Sequence, residues 1–438
     1  MRKLKTFFIR TYGCQMNELD SEIMVGALEK RGLKRVREEE DADLLLFNTC
    51  SIRDLAERKV MGKIGQLGRS PKRRSIIGVT GCMANAKKDR IFRKLPHVDF
   101  VLGTNNISDL DAVLDEVLET GKQTFKTDHD FEENINYFDA VRDDPVKAFV
   151  SIIRGCDKYC TYCVVPYTRG KEVSRPPENI EQECQRLAAK GYKEITLLGQ
   201  NVNSYGNDKP EWNEKFHDLL YRLDKIDGIE RIRFMTSHPC DITIELMQAI
   251  ADLPSLCEFV HFPIQAGSSR ILRKMNRRYT LEEYLEKVEM LRKIVPDVAL
   301  GTDIIVGFPT ETKEEFQMTY DIFKQIRYSV AFLFTYSARK GTPAYRWKDD
   351  ISEEVKSERL QRLMELHNAI SGEEMQNQIG KEVEVLVESR NKSGQLKGRT
   401  RCWKKVIFSG GDDLIGTLQK IKITGCNHQT LLGELVTP

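Results

Sequence analysis

The sequence predicts an α/β protein in three parts: an N-terminal open α/β sheet, a central partial TIM-like (βα)6 barrel and a small OB-like β-barrel at the C-terminus. Strand-like apolar runs alternate with helical stretches over residues 1–120 and again over 147–375, as in parallel sheets covered by helices. The intervening residues 121–146 are polar and aperiodic, which predicts a linker. Residues 376–438 change to short strands separated by glycine and polar turns, which is typical of a small closed barrel.

In the first part, we expect the first strand at KTFFIRTYG and the first helix from Asp20 to Gly32. Further strands are expected at DADLLLFNTC, SIIGVTGC and HVDFVLGT, with helices at RDLAERKVMGKIGQL and ISDLDAVLDEVLETG. The basic start of the chain has only a short apolar run, which Arg10 interrupts. We therefore interpret it as a strand and not as a signal peptide.

Cysteines follow three of these strands, at the point where each strand ends. They are Cys14, Cys50 and Cys82. Because ligands collect at the carboxyl ends of parallel strands, we expect the three thiols to meet at one edge of the sheet. Free cysteines are also commonly buried as small apolar residues, so buried structural thiols are the alternative to a metal or cluster site.

In the central part, we expect the first barrel strand at KAFVSIIRG. Later strands are expected at EITLLGQNV, RIRFMTSHP, FVHFPIQAG, ALGTDIIVGFP and SVAFLFTYSA, separated by helical stretches such as PENIEQECQRLAAKG. About six βα units over this length predict a complete or partial α/β barrel, whose active groups belong at the C-terminal ends of its strands.

In the last part, the segment from Ile351 to Gly380 is expected to form one long charged helix or two short ones. Short strands follow at EVEVLVES, GQLKGRT, KKVIFSG, LIGTLQKIKITG and LLGELV. Residues 381–438 contain ten Lys or Arg and six Asp or Glu, a net charge of +4. Because 68 basic residues nearly balance 66 acidic ones over the whole chain, a nucleic-acid interface can be argued only locally.

No stretch of the sequence is long and apolar enough to span a bilayer. The chain has eleven cysteines and no secretory start, so reduced thiols in the cytoplasm are expected and not a disulfide framework.

The loop RGCDKYCTYCVVPYTRG follows the first barrel strand and carries Cys156, Cys160 and Cys163 with the spacing C-x3-C-x2-C. Structural zinc usually has four ligands in a closed tetrahedron, and no fourth Cys or His lies at a suitable spacing here. An iron–sulfur cluster is held by thiolates and can leave one iron open for chemistry. Three thiolates therefore favour a catalytic cluster.

This motif after the first strand of an α/β barrel resembles the radical S-adenosylmethionine superfamily. The resemblance implies that the three thiolates hold a 4Fe–4S cluster whose open iron binds S-adenosylmethionine. It also implies reductive cleavage of that cofactor to a 5′-deoxyadenosyl radical, while the protein supplies orientation and excludes water.

Motifs over nearly the whole chain resemble the bacterial methylthiotransferases, in particular those acting on tRNA that contains N6-isopentenyladenosine. They are TYGCQMN, NTCSIR, GCMA, RGCDKYCTYCVVPYTRG, LLGQNVNSYG, SHP, YSARKGTP and GRT. The resemblance implies a transferase that methylthiolates C2 of this adenosine beside the anticodon, using two S-adenosylmethionine molecules and two 4Fe–4S clusters. It assigns Cys14, Cys50 and Cys82 to the second cluster and the C-terminal barrel to the RNA-binding TRAM domain.

The same resemblance implies partners and a location. We expect tRNA carrying N6-isopentenyladenosine, an electron donor such as flavodoxin or ferredoxin, a sulfur source, no membrane, and a monomer in the cytoplasm. Whether the inserted sulfur comes from the cluster or from outside it stays open.

Strand positions and the superfamily resemblance together nominate residues for S-adenosylmethionine. Tyr162, just before the third cysteine, is expected to seat the adenine, or else to pack beside the loop. Four other candidates end successive barrel strands: Gln200, Asn201, Ser237 and Gln265. The last candidate, Asp303, lies within the fifth strand and is expected to reach the ribose hydroxyls. Arg154, Lys158 and Arg169 flank the cluster loop, where they either neutralise an anion or form a solvated basic face.

RNA contacts are expected in the C-terminal barrel at Arg399, Trp403, Lys404 and Lys405. The family often has polar Asn residues after GRT, whereas RCWKK stands here. Lys404 and Lys405 are candidates for phosphate contacts. Trp403 either stacks on a base or packs within the protein.

Two alternatives remain from the sequence. The first is a sister methylthiotransferase acting on N6-threonylcarbamoyladenosine of tRNA or on an aspartate of a ribosomal protein. The second is a non-catalytic iron–sulfur protein that binds RNA, which the incomplete three-cysteine motif opposes.

Overall fold

The computed structural model describes residues 4–51, 54–68, 75–127 and 137–436. The chain divides into two compact units. The first comprises Met1–Asp143, Ile153–Tyr159 and Cys163–Val173, and the second Asp144–Ile152, Cys160–Tyr162 and Ser174–Pro438. The cysteine loop after the first barrel strand is therefore shared between the two units.

The first unit is built on a parallel sheet of six strands in the order β2-β1-β3-β4-β5-β6. The strands are β1 Thr6–Tyr12, β2 Lys34–Arg35, β3 Leu44–Thr49, β4 Ile76–Gly81, β5 Phe100–Leu102 and β6 Thr124–Lys126. The helices are α1 Gln15–Lys30, α2 Asp54–Leu67, α3 Cys82–Lys87, α4 Arg90–Lys94 and α5 Leu110–Thr120. The open α/β sheet predicted from the sequence is confirmed.

The central strands β3 and β4 are buried along their whole length, which explains their nearly continuous apolar sequence. Phe47 and Val79 belong to the core on one side of the sheet, together with Val60 and Ile64 of α2. Gly78 lies against the ring of Phe100, with which a Cβ at this position would overlap. These close contacts fix the register of the strands whose ends carry cysteines.

Two boundaries differ from the expectation. Helix α1 begins at Gln15 and not at Asp20, because Cys14 is the N-cap residue and its carbonyl oxygen accepts from the backbone N–H groups of Asn17 and Glu18. Because residues of this first turn are polar, the apolar pattern of the sequence does not indicate where the helix begins. Strand β6 lies within the segment expected as a linker and pairs with β5. Residues 128–136 of that segment lie outside the described residues. The same holds for residues 52–53, at the start of the second expected helix.

The second unit contains six parallel barrel strands in two groups, β7-β10-β11 and β12-β13-β14. Two short strands, β8 Ile153–Arg154 and β9 Val173–Ser174, and helix α6 Val165–Thr168 belong to the segment that carries the cysteine loop. The barrel strands are β7 Lys147–Ser151, β10 Glu194–Leu198, β11 Arg231–Phe234, β12 Phe259–His261, β13 Ala299–Val306 and β14 Val330–Thr335. A bridge between Ile232 and Leu256 continues from β11 toward β12. The predicted partial (βα)6 barrel is confirmed.

A helix follows each barrel strand. These helices are α7 Pro177–Ala189, α8 Phe216–Leu223, α9 Ile244–Asp252, α10 Ser269–Lys274, α11 Leu281–Ile294, α12 Lys313–Ile326 and α13 Glu353–Gln376. Two of them begin with a capping box, Thr280 with Glu283 and Thr312 with Glu315, which satisfies backbone donors at the helix start. The segment predicted as one long or two short helices is the single helix α13.

The C-terminal residues form a closed five-stranded barrel in the order β15-β16-β17-β19-β18. Its strands are β15 Glu382–Arg390, β16 Leu396–Thr400, β17 Lys405–Phe408, β18 Leu418–Asn427 and β19 Thr430–Leu435. Alternate residues such as Val385, Val387 and Phe408 form its core. The predicted OB-like barrel is confirmed.

Two buried arginines of β11 attach this C-terminal barrel to the central one. Arg231 donates to Glu384 at 2.8 Å and to the carbonyl oxygen of Arg399 at 2.7 Å. Arg233 donates to Glu194 at 2.9 Å and to the carbonyl oxygen of Thr400 at 2.8 Å. Because buried charges are stable only when paired and hydrogen-bonded, removal of the C-terminal barrel would uncover both guanidinium groups. Point substitutions are therefore a cleaner test of that barrel than truncation.

Across the part of the chain that the structure describes, no helix combines the length and the apolar composition needed to cross a bilayer.

Candidate functional site

Strand register brings the three N-terminal cysteines to one edge of the first sheet. Thr49, the last residue of β3, pairs with Tyr12 of β1 and with Gly81 of β4. Cys50 and Cys82 come directly after Thr49 and Gly81, and Cys14 comes two residues after Tyr12. The thiols therefore follow three adjacent strands at their carboxyl ends.

The thiols at this edge differ in exposure. Cys50 and Cys82 are buried, whereas Cys14 is exposed. The surrounding protein raises the pKa of the Cys14 thiol by desolvation, the Arg169 guanidinium opposes this shift, and the neighbouring Cys82 adds to it. The residue Cys14 thus keeps part of its surface exposed, while its thiol is desolvated by the surrounding protein.

Arg169 is the basic side chain at these cysteines. Its Nε donates to Cys82 Sγ at 3.3 Å and its Nη2 donates to Asp20 at 3.0 Å. Burial alone would lower the pKa of Arg169, but the neighbouring Cys82, Asp20 and Cys14 raise it above the ordinary value. The sequence nominated Arg169 only as one of three flanking cations, and it gave no signal for Asp20.

Buried polar atoms around the cysteines lack partners. Within the described residues, Ser51 Oγ, Thr80 Oγ1 and Arg169 Nη1 are buried without a hydrogen-bond partner. Such atoms are rare in native proteins and require an explanation. The sulfurs of an iron–sulfur cluster accept hydrogen bonds, so these donors fit a cluster at this edge.

A single metal ion and an iron–sulfur cluster place their cysteine ligands at different distances from one another. In the described part of the chain, no three His, Cys, Asp or Glu side chains lie close enough together to hold one ion. A structural zinc ion requires all its ligand atoms at about 2.0–2.3 Å from one centre. In a cluster each thiolate binds a different iron, so its cysteines lie farther apart.

The loop after the first barrel strand has a constrained backbone. Gly155 has a φ of 80°, and a Cβ at this position would overlap the carbonyl oxygen of Lys171. Cys156 donates its backbone N–H to Gly170 at 3.1 Å, and the backbone N–H of Val165 donates to Cys163 Sγ at 3.5 Å. The glycine before the first cysteine is therefore needed for the loop to return on itself.

Within the second unit, Cys160 is held beside a buried arginine. Arg277 Nη1 donates to Cys160 Sγ at 3.5 Å, and Arg277 Nε donates to Tyr279 at 2.9 Å. The next residue, Thr161, donates its backbone N–H to Met275 at 3.0 Å. Sequence reasoning missed Arg277, because it lies more than a hundred positions from the cysteine motif and belongs to no metal-binding pattern.

Apart from Tyr162 in the cysteine loop, the residues nominated for S-adenosylmethionine lie in, or within a few residues after, barrel strands of the second unit. Tyr162 contacts the ring of Phe308 edge to face, with 6.4 Å between centroids. Asn201 is buried and donates to Asp241 at 2.7 Å, and Gln200 is half-buried. Ser237 lies three residues beyond the end of β11, and its buried Oγ has no partner among the described residues.

The remaining two candidates are on β13 and after β12. Gln265 is buried with a φ of 70°, a conformation that is uncommon for residues other than glycine and that clusters at functional sites. Asp303 lies 3.3 Å from Nε2 of the buried His261. These two residues come from adjacent strands, since Gln265 forms a bridge with Ile304.

The four residues nominated for RNA differ in their availability. Trp403 is half-buried and stacks on Phe259 with centroids 5.5 Å apart, while Arg233 and Arg399 lie 4.9 and 5.0 Å from its ring. The structure therefore favours packing over base stacking for Trp403. Lys404 pairs with Glu374 at 2.8 Å, and Lys405 is exposed and has no carboxylate partner among the described residues.

Three family models match the chain in order. They are Uncharacterized protein family UPF0004 over residues 6–103, the Radical SAM superfamily over residues 150–323, and the TRAM domain over residues 376–436. The matched ranges correspond to the open sheet, the partial barrel and the closed barrel.

Curated relatives match almost the full length. The chain is 70% identical over 437 residues to a protein of Protochlamydia amoebophila (strain UWE25) named tRNA-2-methylthio-N(6)-dimethylallyladenosine synthase, covering 99% of this chain and 97% of that protein. It is 49% identical over 434 residues to a protein of the same name from Clostridium botulinum (strain Loch Maree / Type A3), covering 98% and 96%.

Solved structures share the fold at low sequence identity. The radical S-adenosylmethionine methyltransferase TsrM from Kitasatospora setae, with cobalamin and a 4Fe–4S cluster bound, has a TM-score of 0.56 and 14% identity, covering 78% of this chain and 74% of that one. The cobalamin-dependent S-adenosylmethionine radical enzyme OxsB has a TM-score of 0.52 and 12% identity, covering 83% and 56%.

Proposed function

The chain belongs to the family of tRNA-2-methylthio-N6-dimethylallyladenosine synthases, and from this membership we propose that it methylthiolates C2 of N6-isopentenyladenosine beside the anticodon of tRNA. Isopentenyl and dimethylallyl are names for the same substituent. The observation that carries the proposal is the 70% identity over 437 residues to a relative of that name. Both curated relatives described above carry this name and not that of a sister activity on N6-threonylcarbamoyladenosine or on a ribosomal protein.

The Radical SAM match implies a 4Fe–4S cluster and S-adenosylmethionine. We propose that Cys156, Cys160 and Cys163 hold this cluster, and that a second cluster is held by Cys14, Cys50 and Cys82. When bound, the first cluster supplies one-electron chemistry, which is needed because the C2 hydrogen of adenine is neither acidic nor hydridic. The partnerless buried donors at Ser51, Thr80 and Arg169 support the second cluster.

The barrel residues have the tasks of binding, orienting and excluding water. Tyr162, against Phe308, offers an aromatic wall for the adenine of S-adenosylmethionine. Ser237 offers a buried hydroxyl without a described partner, and Asp303 offers a carboxylate beside His261. We assign Gln200, Asn201 and Gln265 to the same binding site from their positions at the strand ends.

We propose the domain boundaries derived from the sequence: 1–120 for the domain of the second cluster, 121–146 for a linker, 147–375 for the barrel and 376–438 for the TRAM domain. Residues 124–126 of the linker segment are the exception, because β6 pairs with β5 of the first domain. We propose a monomer, because each set of three cysteines lies within one chain. Reduced thiols and a tRNA substrate support a location in the cytoplasm. For the proposed reaction, we further propose flavodoxin or ferredoxin as the electron donor and a separate source of sulfur.

A charge reversal tests the C-terminal barrel as an RNA-binding surface. We expect Lys405→Glu to weaken tRNA binding and to reduce the salt slope of log K by about 1 or more, because each phosphate contact releases counterions. Lys404→Gln is the matched control, since Glu374 already neutralises Lys404. Binding would be measured by filter retention at several salt concentrations, and equal slopes for Lys405→Glu and the unsubstituted chain would remove Lys405 from the interface.

The activity itself is tested by reconstituting the purified chain with iron and sulfide under anaerobic conditions. It is then supplied with S-adenosylmethionine, a reductant and tRNA that carries either N6-isopentenyladenosine or N6-threonylcarbamoyladenosine. We expect mass spectrometry of the digested tRNA to show a methylthio product only from the first substrate. Product from the second alone would reassign the chain to the sister activity.

A further inference from the structure

Arg169 reaches the N-terminal cysteines from the segment that follows the barrel cysteine motif, six residues after Cys163. Its side chain is 3% exposed. One nitrogen donates to Cys82 Sγ at 3.3 Å, a second to Asp20 at 3.0 Å, and the third has no partner within the described residues. A buried guanidinium with an unused donor beside these cysteines has room for a further hydrogen-bond acceptor at this place.

The buried charges at this edge do not balance. Asp20 also pairs with Arg154, and among the described residues it is the only carboxylate paired with either arginine. All three side chains are at most 3% exposed. Two guanidinium groups and one carboxylate leave one positive charge, and an uncompensated buried charge is destabilising. Cys82 Sγ, which accepts a hydrogen bond from Arg169, lies directly beside this positive charge.

The position of Arg169 is fixed by backbone contacts. The carbonyl oxygen of Thr168 accepts from Asn85 Nδ2 at 2.7 Å and from Thr104 Oγ1 at 3.2 Å. The backbone N–H of Arg169 donates to Val165 at 2.8 Å. Asn85 lies in α3, the helix that begins with Cys82, so the same helix anchors both the arginine and its thiol partner.

We propose that Arg169 is a positioning residue for the second cluster, which orients Cys82 through the hydrogen bond to its sulfur and stabilises the more negative, reduced state of the cluster. The inference rests on the proposed function, because it takes Cys14, Cys50 and Cys82 as cluster ligands. Hydrogen bonds to sulfur and nearby charge set cluster potentials. Partners of ligating residues change metal affinity by about 10- to 100-fold when substituted.

The test uses the full chain with Cys156, Cys160 and Cys163 replaced by alanine, so that iron can bind only at the N-terminal cysteines. Arg169→Gln and Arg169→Lys are compared with Arg154→Gln, which removes a positive charge from the same carboxylate without touching a cysteine. The readouts are iron per chain, the rate of iron release to a chelator, and the midpoint potential from a redox titration followed by electron paramagnetic resonance.

We expect Arg169→Gln to release iron about 10- to 100-fold faster and to shift the midpoint potential to a more negative value. Arg169→Lys should shift the midpoint potential less than Arg169→Gln does, because it keeps the positive charge. It should still release iron faster than the parent triple variant, because an ammonium cannot reproduce the planar donor fork. Arg154→Gln should change both quantities little. If Arg169→Gln does not accumulate as folded protein, the rate of iron release from Arg169→Lys tests the inference in its place, and an unchanged rate rejects it.

Three results would overturn the inference. If both Arg169 variants bind iron with an unchanged rate of release and an unchanged midpoint potential, Arg169 does not position the second cluster. The proposal of a second cluster would not be affected by that result. Equal shifts in Arg154→Gln and Arg169→Gln would assign the effect to the charge on Asp20 and not to the contact with sulfur. A failure of the parent triple variant to bind iron would reject the second cluster itself, and the inference with it.

Discussion

Replacing Cys156, Cys160 and Cys163 by alanine is expected to abolish both cleavage of S-adenosylmethionine and formation of methylthiolated tRNA. The physical reason is that cluster ligands are thiolates, and an alanine methyl group has no lone pair to donate to iron. Iron after anaerobic reconstitution should fall from about eight to about four atoms per chain, because only one 4Fe–4S cluster would remain.

The matched control is the triple variant of Cys240, Cys402 and Cys426, which are half-buried thiols outside both sets. It removes the same number of sulfurs and should keep the full iron content and activity. Chromatography of 5′-deoxyadenosine and mass spectrometry of the tRNA measure the outcome. Continued cleavage of S-adenosylmethionine by the first triple variant would show that the radical site lies elsewhere.

Replacing Cys14, Cys50 and Cys82 by alanine is expected to separate the two activities. Methylthiolated tRNA should disappear, whereas cleavage of S-adenosylmethionine to 5′-deoxyadenosine should persist. The reason is that the barrel thiolates remain, while the open sheet loses the ligands of the second cluster, at which we propose that the sulfur is held before transfer. Iron should again fall to about four atoms per chain.

Full methylthiolation by this variant would contradict the division of labour between the two cysteine sets. Mixing the two triple variants provides a second observation. If each chain needs both of its own cysteine sets, the mixture should form no product. Restored product would show that chains cooperate and would reject the proposed monomer.

The order and type of the elements could be predicted from the sequence. Leu44, Leu45 and Leu46 in succession predict a strand buried on both faces, and β3 has that burial. The placement of Cys14, Cys50 and Cys82 after strand ends predicts a common edge, because parallel strands end on the same side. These features depend on local pattern and on a general rule of chain topology, which a sequence carries directly.

Helix boundaries and side-chain partners could not be predicted in the same way. The start of α1 depends on the cap formed at Cys14, in a first turn of polar residues whose pattern does not indicate a helix. Trp403 is equally suited to stack on a base or to pack, and the proximity of Phe259 and Arg233 favours packing.

By itself, the sequence predicted which cysteines are candidates for cluster binding, because spacing and strand position are properties of one segment at a time. Only the tertiary structure brought Arg169 to Cys82, 87 positions away, and Arg277 to Cys160, 117 positions away. A cation that stabilises a thiolate through space can come from any part of the chain, so local pattern contains no signal for it. The unequal number of positive and negative charges at Asp20, Arg154 and Arg169 also became visible only in the tertiary structure, because the burial of these side chains depends on the packed fold.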